Sequence, residues 1–342
     1  MPEFMNGVVT HEWADPALLR DAAIEWVREG VPYPFVDRLG GTLSPGYEKA
    51  SGIIGRYASA GIKVMASTLQ PGSALWEPDA SGKLVSVWHN RYPKWYGALG
   101  TEDFLRNFEE TARWLAKDLK GQVQAWQIAN ELDIGQFAGP LNPRQACELI
   151  LRGARGIKNE DPGAIVGHNV AGAAPSYFIL GHLFPPGGSD LISYCGVDGY
   201  YGSWSPGSPD DWAARVRELH ALTGAPVILN EWGFASAGGV LTDAERASGV
   251  SVCQSRKWPY SWGKGHTPEG QAEFITRALQ ALAPLRDEGK LLGQFYFRWA
   301  DQKTCWQCGQ PGCPAETAWG LVDLEGKPKP SYRGFQEALL GK

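Results

Sequence analysis

Two carboxylates at the ends of apolar runs are the first sign of chemistry in this sequence. "WQIANELD" leads into Glu131 and "PVILNEW" leads into Glu231, each directly after an Asn. A third Asn-Glu pair, ending at Glu160, falls at the end of a helical stretch, where a solvated charge is the natural interpretation. Burying two carboxylates is costly unless they are paired, hydrogen-bonded or used. Glu131 and Glu231 are therefore either ion-pair partners that close a structure or a catalytic pair.

The elements that must hold these carboxylates are short β-like runs alternating with longer helical stretches. This alternation is typical of repeated βα units and a parallel sheet. The predicted strands span residues 6–13, 24–31, 62–69, 123–131, 164–171, 191–201, 226–232 and 291–299. Eight such units predict an α/β protein with a (β/α)8 TIM barrel. A doubly wound open sheet is the main competitor, but no Gly-rich phosphate turn follows the first strand.

Helix starts between the strands carry capping residues. Thr101 precedes an amphipathic stretch over 101–120, and Asn142, Ser208 and Thr267 each precede a Pro at a predicted first helical position. Without a repeat or linker to divide it, the chain is predicted to be a single catalytic domain over 1–342. Long loops follow strands 3, 7 and 8 on the face where barrel enzymes place their active sites, over residues 70–100, 233–267 and 300–328.

Strand alternation gives a direction to both carboxylates. Ala125, Gln127, Ala129 and Glu131 share one face of the fourth strand, and Glu231 shares a face of the seventh with residues 227 and 229. Both carboxylates are therefore predicted to point toward the barrel axis.

With this arrangement the sequence resembles the clan-A retaining glycoside hydrolases, the 4/7 superfamily, without pointing to one family. "WQIANELD" resembles their acid/base segment, "APVILNEWGF" their nucleophile segment, and "GQFYFRWAD" their eighth strand. The resemblance implies hydrolysis of a β-linked oligosaccharide, polysaccharide or β-glycoside by double displacement, with Glu131 as acid/base and Glu231 as nucleophile. Such a reaction uses carboxyl groups about 5 to 5.5 Å apart.

The same resemblance implies five substrate-binding residues. Arg28 would steady the nucleophile, Asn130 would bond the sugar hydroxyl beside the anomeric carbon, and Tyr200 would hydrogen-bond the nucleophile, with Tyr201 as the alternative. Trp299 would form the floor under the reacting sugar. Two positions depart from the common pattern, since Leu132 stands where Pro is frequent and Asp198 where many members carry His.

Aromatic residues support a carbohydrate substrate, because sugar rings present C–H faces that stack on aromatic rings. Eleven of the fifteen Trp fall at strand ends or in the loops after them, namely Trp13, Trp76, Trp88, Trp95, Trp204, Trp232, Trp258, Trp262, Trp299, Trp306 and Trp319. Two alternative functions remain: a non-catalytic carbohydrate-binding barrel, and a phosphate-handling barrel using loop 234–239. That loop contains no Lys or Arg, and the first alternative predicts loss of a strand-end Glu.

Four cysteines in two neighbouring loops form a possible metal site. Cys305, Cys308 and Cys313 lie in the loop after strand 8 and Cys253 in the loop after strand 7. They could bind a structural Zn²⁺, form two disulfides or remain free thiols, with His266 as a possible replacement ligand. Catalysis itself is expected to need no cofactor. The remaining two, Cys147 and Cys195, are predicted to be buried, and among the histidines His11, His89 and His168 could line the barrel mouth without forming a metal motif.

Charge and hydropathy argue against two classes of binding partner, nucleic acids and membranes. A net charge of −5 with no basic stripe argues against nucleic acid, and no run of about 18 uncharged apolar residues predicts a membrane span. Residues 1–4, "MPEF" ahead of a second Met, resemble a vector-derived scar. Localisation is therefore cytoplasmic if the N-terminus is native and extracellular if a leader was removed, and the oligomeric state cannot be inferred from the sequence.

Overall fold

A computed structural model describes residues 3–340, so Met1 and Pro2 of the predicted scar lie outside the described residues. Eight parallel strands close into a barrel in the order β1-β8-β7-β6-β5-β4-β3-β2, with β2 pairing back to β1. The strands are β1 Met5–Thr10, β2 Trp26–Val31, β3 Lys63–Thr68, β4 Ala125–Ile128, β5 Ile165–Val170, β6 Tyr194–Gly199, β7 Val227–Trp232 and β8 Leu291–Tyr296. The predicted (β/α)8 barrel and its eight strands are confirmed.

Helices surround the barrel. The longer ones, of eight residues or more, are Pro45–Ser59, Glu102–Asp118, Pro143–Glu160, Ser176–Leu183, Asp211–Thr223, Pro268–Asp287 and Pro330–Leu340. Short helical turns lie at Pro16–Asp21, Lys94–Tyr96, Gly135–Ala138, Asp243–Ala247, Val252–Ser255 and Pro314–Thr317. Within residues 3–340, no helix is both long and apolar enough to cross a membrane.

The predicted helix caps are confirmed at three of four positions. Thr101, Asn142 and Thr267 each accept a hydrogen bond from a backbone N–H of the first helical turn. The prediction for Ser208 is wrong. Its hydroxyl donates instead to the carboxylate of Asp211, where the helix begins three residues later.

The long loop after β3 contains an antiparallel hairpin that the sequence analysis did not predict. Its strands, Gly72–Pro78 and Leu84–Asn90, pair along their full length. The hairpin leans on the loop after β8, because the backbone N–H of Trp76 donates to the carbonyl of Gln307 at 2.6 Å. The two excursions therefore support each other at the carboxyl end of the barrel.

Apolar side chains form two layers. The larger layer lies between strands and helices and includes Val27, Leu229 and Phe274. The smaller fills the barrel interior and continues under the top loops, and it includes Met65 and Ile228. Because the interior is packed, we expect a ligand at the carboxyl-terminal mouth of the barrel, where barrel enzymes place their active sites.

Glu231 reaches that mouth by a route that simple alternation did not predict. Leu229 packs in the helix-side layer, whereas Asn230 is buried in the barrel interior and donates to Gln127 at 2.7 Å. Between β6 and β7 the register then shifts, since Val197 pairs with Leu229 but the next residue, Asp198, pairs with Glu231. This bulge inserts one residue, so Asn230 and Glu231 both face inward. The predicted face of Glu231 is right, but the prediction that residues 227 and 229 share it is wrong.

Candidate active site

A cavity of about 790 Å³ opens at the carboxyl end of the barrel. It is lined by both strand-end carboxylates, Glu131 and Glu231, together with Arg28, Asn130 and Tyr200. Five of the residues predicted from the sequence therefore line one cavity. A cavity of this size can hold a sugar-sized ligand.

Glu231 is held by a donor on each carboxylate oxygen. Arg28 Nη1 donates to its Oε1 at 2.7 Å, and the Tyr200 hydroxyl donates to its Oε2 at 2.6 Å. Arg28 is itself fixed, because Nε donates to Gln127 at 2.7 Å and Nη2 to Asn130 at 2.8 Å. Such charge-assisted hydrogen bonds fix the orientation of the carboxylate.

Glu131 occupies a different environment. It is buried, and burial is the main reason that its pKa lies well above the ordinary range for a glutamate. The charges of Glu231 and Asp133 raise this pKa further. The residue reaches the cavity from a left-handed conformation, with φ of 47°, one turn after β4 ends at Ile128. Such strained backbone at a non-glycine residue is common where a side chain must be placed for function.

The fourth strand is shorter than the predicted range 123–131, because it ends at Ile128 where the left-handed turn begins. Ala129 has φ of 53° and packs in the helix-side layer, so the alternation that places Ala125 and Gln127 inside stops before it. Asp133 then stabilises the turn from outside the strand, as its carboxylate accepts the backbone N–H groups of residues 171, 172 and 173.

Asn130 presents a free donor to the cavity. Its side-chain oxygen accepts hydrogen bonds from Arg28, from Gln127 at 3.1 Å and from Asn169 at 2.8 Å. Its amide nitrogen makes no hydrogen bond to any other residue in the described range 3–340. The Nδ2 group is therefore the part of Asn130 that remains for a ligand hydroxyl.

Asp198 is a third carboxyl group at the site that the sequence analysis named only as a departure. It is buried, its Oδ2 accepts from Asn169, and its Oδ1 has no partner among residues 3–340. Burial, followed by the charges of Glu231 and Glu131, raises its pKa well above the ordinary range. Asp198 lies on β6 two residues before Tyr200, which directly follows the strand, and this spacing is the signal in the sequence that places Asp198 at the barrel mouth.

Two predicted binding residues lie elsewhere. Trp299 does not line the cavity but packs edge-on against Tyr332 in the helix-side layer, with ring centroids 6.1 Å apart. The prediction that it forms the floor is wrong, because β8 ends at Tyr296 and alternation does not continue to residue 299. Tyr201 packs edge-on against Trp212 and also lies outside the cavity lining. The aromatic residues that do line the cavity are Tyr33, Phe137, Tyr200, Trp204, Phe297, Trp306 and Trp319.

Of the three histidines considered, only His11 lines the cavity. Burial is the main reason that the pKa of His11 lies well below its usual value, and the positive charges of Arg298, Arg28 and Arg91 lower this pKa further. His168 is buried, with its Nδ1 2.7 Å from a backbone carbonyl oxygen, and burial lowers its pKa to about 4.

The four loop cysteines converge beside the cavity. The sulfur atoms of Cys253, Cys305, Cys308 and Cys313 lie within 4.8 Å of one another. His266 is not part of this group, because both ring nitrogens lie within 3.1 Å of the backbone carbonyls of residues 235 and 260. Cys147 and Cys195 are buried apart from the cluster, as predicted.

Neither a protein-family profile nor any curated protein sequence matches this chain. Its fold, however, is similar to solved glycoside hydrolase structures. A family 39 glycoside hydrolase from Bacteroides cellulosilyticus WH2 aligns over 98% of this chain and 63% of its own, at 15% identity and a TM-score of 0.64. A β-D-glucuronidase from Dictyoglomus thermophilum aligns over 98% and 50%, at 18% identity and a TM-score of 0.60.

A third similar structure, the family 53 catalytic domain from Ignisphaera aggregans, is close to this chain in length. It aligns over 98% of this chain and 96% of its own, at 19% identity and a TM-score of 0.63. At these identities the similarity shows the fold. The chain thus has the barrel that the clan-A resemblance implied, and it spans only half to two thirds of the length of the first two structures.

Proposed function

We propose that this protein is a retaining β-glycoside hydrolase, with Glu231 as nucleophile and Glu131 as acid/base. The observation that carries the proposal is the contrast between two carboxyl groups in one cavity. Glu231 is ion-paired to Arg28 and bonded to Tyr200, whereas Glu131 is buried with a raised pKa. A carboxylate held by a cation and a buried carboxyl group with a raised pKa are suited to opposite roles in one reaction.

In the first step, an oxygen of Glu231 attacks the anomeric carbon and forms an ester bond to the sugar. The bond to the leaving oxygen breaks, and Glu131 gives its proton to that oxygen. In the second step, Glu131 takes a proton from water as the water attacks the anomeric carbon, and Glu231 leaves as a carboxylate. Two inversions retain the β configuration. The free Nδ2 of Asn130 would donate to the hydroxyl beside the anomeric carbon.

The cavity walls suit a saccharide. Trp204, Trp306, Trp319 and Phe297 present aromatic surface on which C–H faces can stack, while Arg28 and the carboxyl groups supply polar contacts. The similar structures of glycoside hydrolase families 39 and 53 add support for a carbohydrate substrate, although their own substrates do not transfer at this identity.

The phosphate-handling alternative is disfavoured by the loop it depends on. In residues 234–239, the backbone N–H of Ser236 already donates to the carbonyl of Ala318 at 2.7 Å, and the loop does not line the cavity. A non-catalytic carbohydrate-binding barrel would keep the aromatic walls, but sugar binding alone does not require two carboxyl groups in such different surroundings.

The test is a panel of aryl β-glycosides and β-linked polysaccharides, assayed with the wild type and with Glu231→Gln. We expect the wild type to hydrolyse at least one member, with the β-anomer as first product by NMR, and the variant to lose several orders of magnitude in kcat. A first-formed α-anomer would refute the retaining mechanism. Sugar binding with no hydrolysis anywhere in the panel would favour the binding barrel.

A further inference from the structure

The cysteine cluster has the dimensions of a metal site. Its four sulfur atoms lie within 4.8 Å of one another, and those of Cys253 and Cys313 are 4.0 Å apart. In a tetrahedral thiolate site with Zn–S bonds of about 2.3 Å, neighbouring sulfurs are about 3.8 Å apart. A disulfide instead requires about 2.05 Å between sulfurs, and no cysteine among the described residues is in a disulfide.

The backbone around the cluster is also arranged to present the thiols. Cys305 and Cys308 sit on a tight turn closed by a hydrogen bond from Gly309 N–H to the Cys305 carbonyl at 2.7 Å, with Gly309 in the left-handed region at φ of 68°. The turn lets two sulfurs of a Cys-x2-Cys pair point to one centre. Cys253 approaches from the short helix Val252–Ser255, in the excursion after β7.

We propose that Cys253, Cys305, Cys308 and Cys313 bind one Zn²⁺ as a closed structural site. All four ligands come from the protein, so no position remains for water or substrate and the metal takes no part in hydrolysis. The ion would link the excursion after β7 to that after β8.

The four cysteines lie next to residues that form the wall of the cavity. Trp306 and Gln307 lie between two of the ligands and line the cavity, and Glu316 follows the last ligand by three residues. The hairpin joins the same assembly, since Gln254 Nε2 donates to the carbonyl of Leu84 at 3.0 Å. Zinc binding would therefore fix the wall formed by three excursions.

The test is metal and thiol content of the purified full chain. We expect one Zn per chain by mass spectrometry of the native protein, and four thiols that react with a thiol reagent only after the metal is removed. Cys308→Ser is expected to lower the bound Zn to a small fraction, whereas Cys147→Ser, which changes a buried cysteine outside the cluster, keeps it. Wild-type protein without Zn, with four reactive thiols or with a mass 4 Da lower from two disulfides, would overturn the proposal even if the variants fail to fold.

A second inference rests on the proposed function and concerns the charge of the sugar. Arg298 lines the cavity with 3% of its surface exposed, and its side chain makes no hydrogen bond within residues 3–340. The nearest carboxylate oxygen, in Glu316, is 3.9 Å away. By contrast, all three groups of the Arg28 guanidinium have partners.

Arg91 adds a second incompletely bonded cation to the same cavity. Its Nε donates to Ser73 at 3.1 Å, while its terminal nitrogens make no hydrogen bond within the described range, and its guanidinium lies 5.8 Å from the Trp306 ring centroid. Arg91, Arg298 and His11 all line this one cavity. Arg91 is exposed, whereas the buried Arg298 has one ion-pair contact, at 3.9 Å, and no side-chain hydrogen bond within residues 3–340. A buried guanidinium paired this loosely is costly, and its planar fork matches a carboxylate or sulfate group.

We infer that Arg298, assisted by Arg91, binds an anionic group of the substrate, so that the preferred substrate is an acidic sugar. The test compares kcat/KM on matched aryl β-glycosides that differ in one group: a neutral hexoside, the corresponding hexuronide and a sulfated hexoside. We expect the wild type to prefer an acidic member, and Arg298→Gln to lose about 10- to 100-fold more on it than on the neutral one. The acidic member that shows this preference identifies the anion as carboxylate or sulfate.

The possible failures are distinguishable. Retaining hydrolysis of the neutral hexoside alone, or an equal loss on all three substrates in Arg298→Gln, would overturn the anion subsite while the proposed function stands. No hydrolysis of any of the three or of the wider panel would overturn the proposed function, and with it this inference.

Discussion

Replacing Glu131 by Gln tests the division of roles most sharply. The amide keeps the size of the side chain in its buried position but has no acidic proton to give. General acid catalysis contributes about 10²- to 10⁴-fold, which corresponds to about 3 to 5 kcal/mol of transition-state stabilisation. We expect that loss in kcat/KM when the leaving group is an alcohol or a sugar, because such an oxygen must be protonated as its bond breaks.

A leaving group that needs no proton gives the opposite expectation. With a dinitrophenyl glycoside of the same sugar, kcat/KM of Glu131→Gln should fall less than about tenfold. The second step still needs Glu131 as base, so the glycosyl-enzyme accumulates, a burst of phenolate appears, and added azide restores turnover by attacking without a base.

The assay is therefore a plot of log kcat/KM against leaving-group pKa for the wild type and the variant. Glu160→Gln is the matched control, because it changes the third Asn-Glu pair, at the carboxyl end of the helix Pro143–Glu160 and outside the cavity lining. Equal losses on the alcohol and dinitrophenyl substrates, or wild-type rates on the alcohol, would refute the role of Glu131.

Three further predictions follow from other contacts. Tyr200→Phe removes the 2.6 Å hydrogen bond to Glu231 and should lower kcat about 10- to 100-fold, whereas Tyr201→Phe, outside the cavity lining, should stay within about twofold; equal effects would contradict the placement. Burial raises the pKa of Glu29 to about 8, so its contribution to stability is fully present below its unfolded pKa near 4.5 and is lost as the pH rises to about 8. In urea unfolding between pH 5 and pH 9, the wild type should lose up to about 4 kcal/mol from this group, and Glu29→Gln should not show that loss. Parallel stability profiles for the two proteins would refute the pKa shift. Gly156→Ala would place a methyl group 2.2 Å from a backbone oxygen in the neighbouring helix and should lower the unfolding free energy by about 1 to 3 kcal/mol, whereas Gly181→Ala, with nothing within 4 Å, should raise it slightly.

The strands could be predicted from the sequence because each carries its own pattern of β-branched and aromatic residues. The two carboxyl groups of the candidate site could be located because both follow such a pattern directly. What the sequence could not show is how they turn inward. Glu131 does so through a left-handed residue and Glu231 through a bulge against β6. Both depend on contacts with neighbouring strands that no local pattern contains.

The errors in the binding residues have the same origin. The resemblance of the eighth-strand segment implies that Trp299 forms the floor, but the chain leaves β8 after Tyr296 and the ring of Trp299 packs in the helix-side layer. Arg298, one residue earlier, lines the cavity instead. The burial of this cation could not be recognised from the sequence, because the cavity that it lines is formed by residues far apart in the chain. The hairpin lies within residues 70–100, which the sequence predicts only as a long loop.

The guanidinium of Arg28 joins three strands that are not neighbours in the barrel. From β2 it donates to Gln127 on β4, to Asn130 just beyond β4, and to Glu231 on β7. Any widening of the barrel mouth would have to break these bonds, so the geometry of the candidate site and the closure of the barrel form one cooperative unit. On heating, loss of the proposed activity should therefore coincide with global unfolding instead of preceding it, and protein heated just below its melting temperature should retain that activity in full.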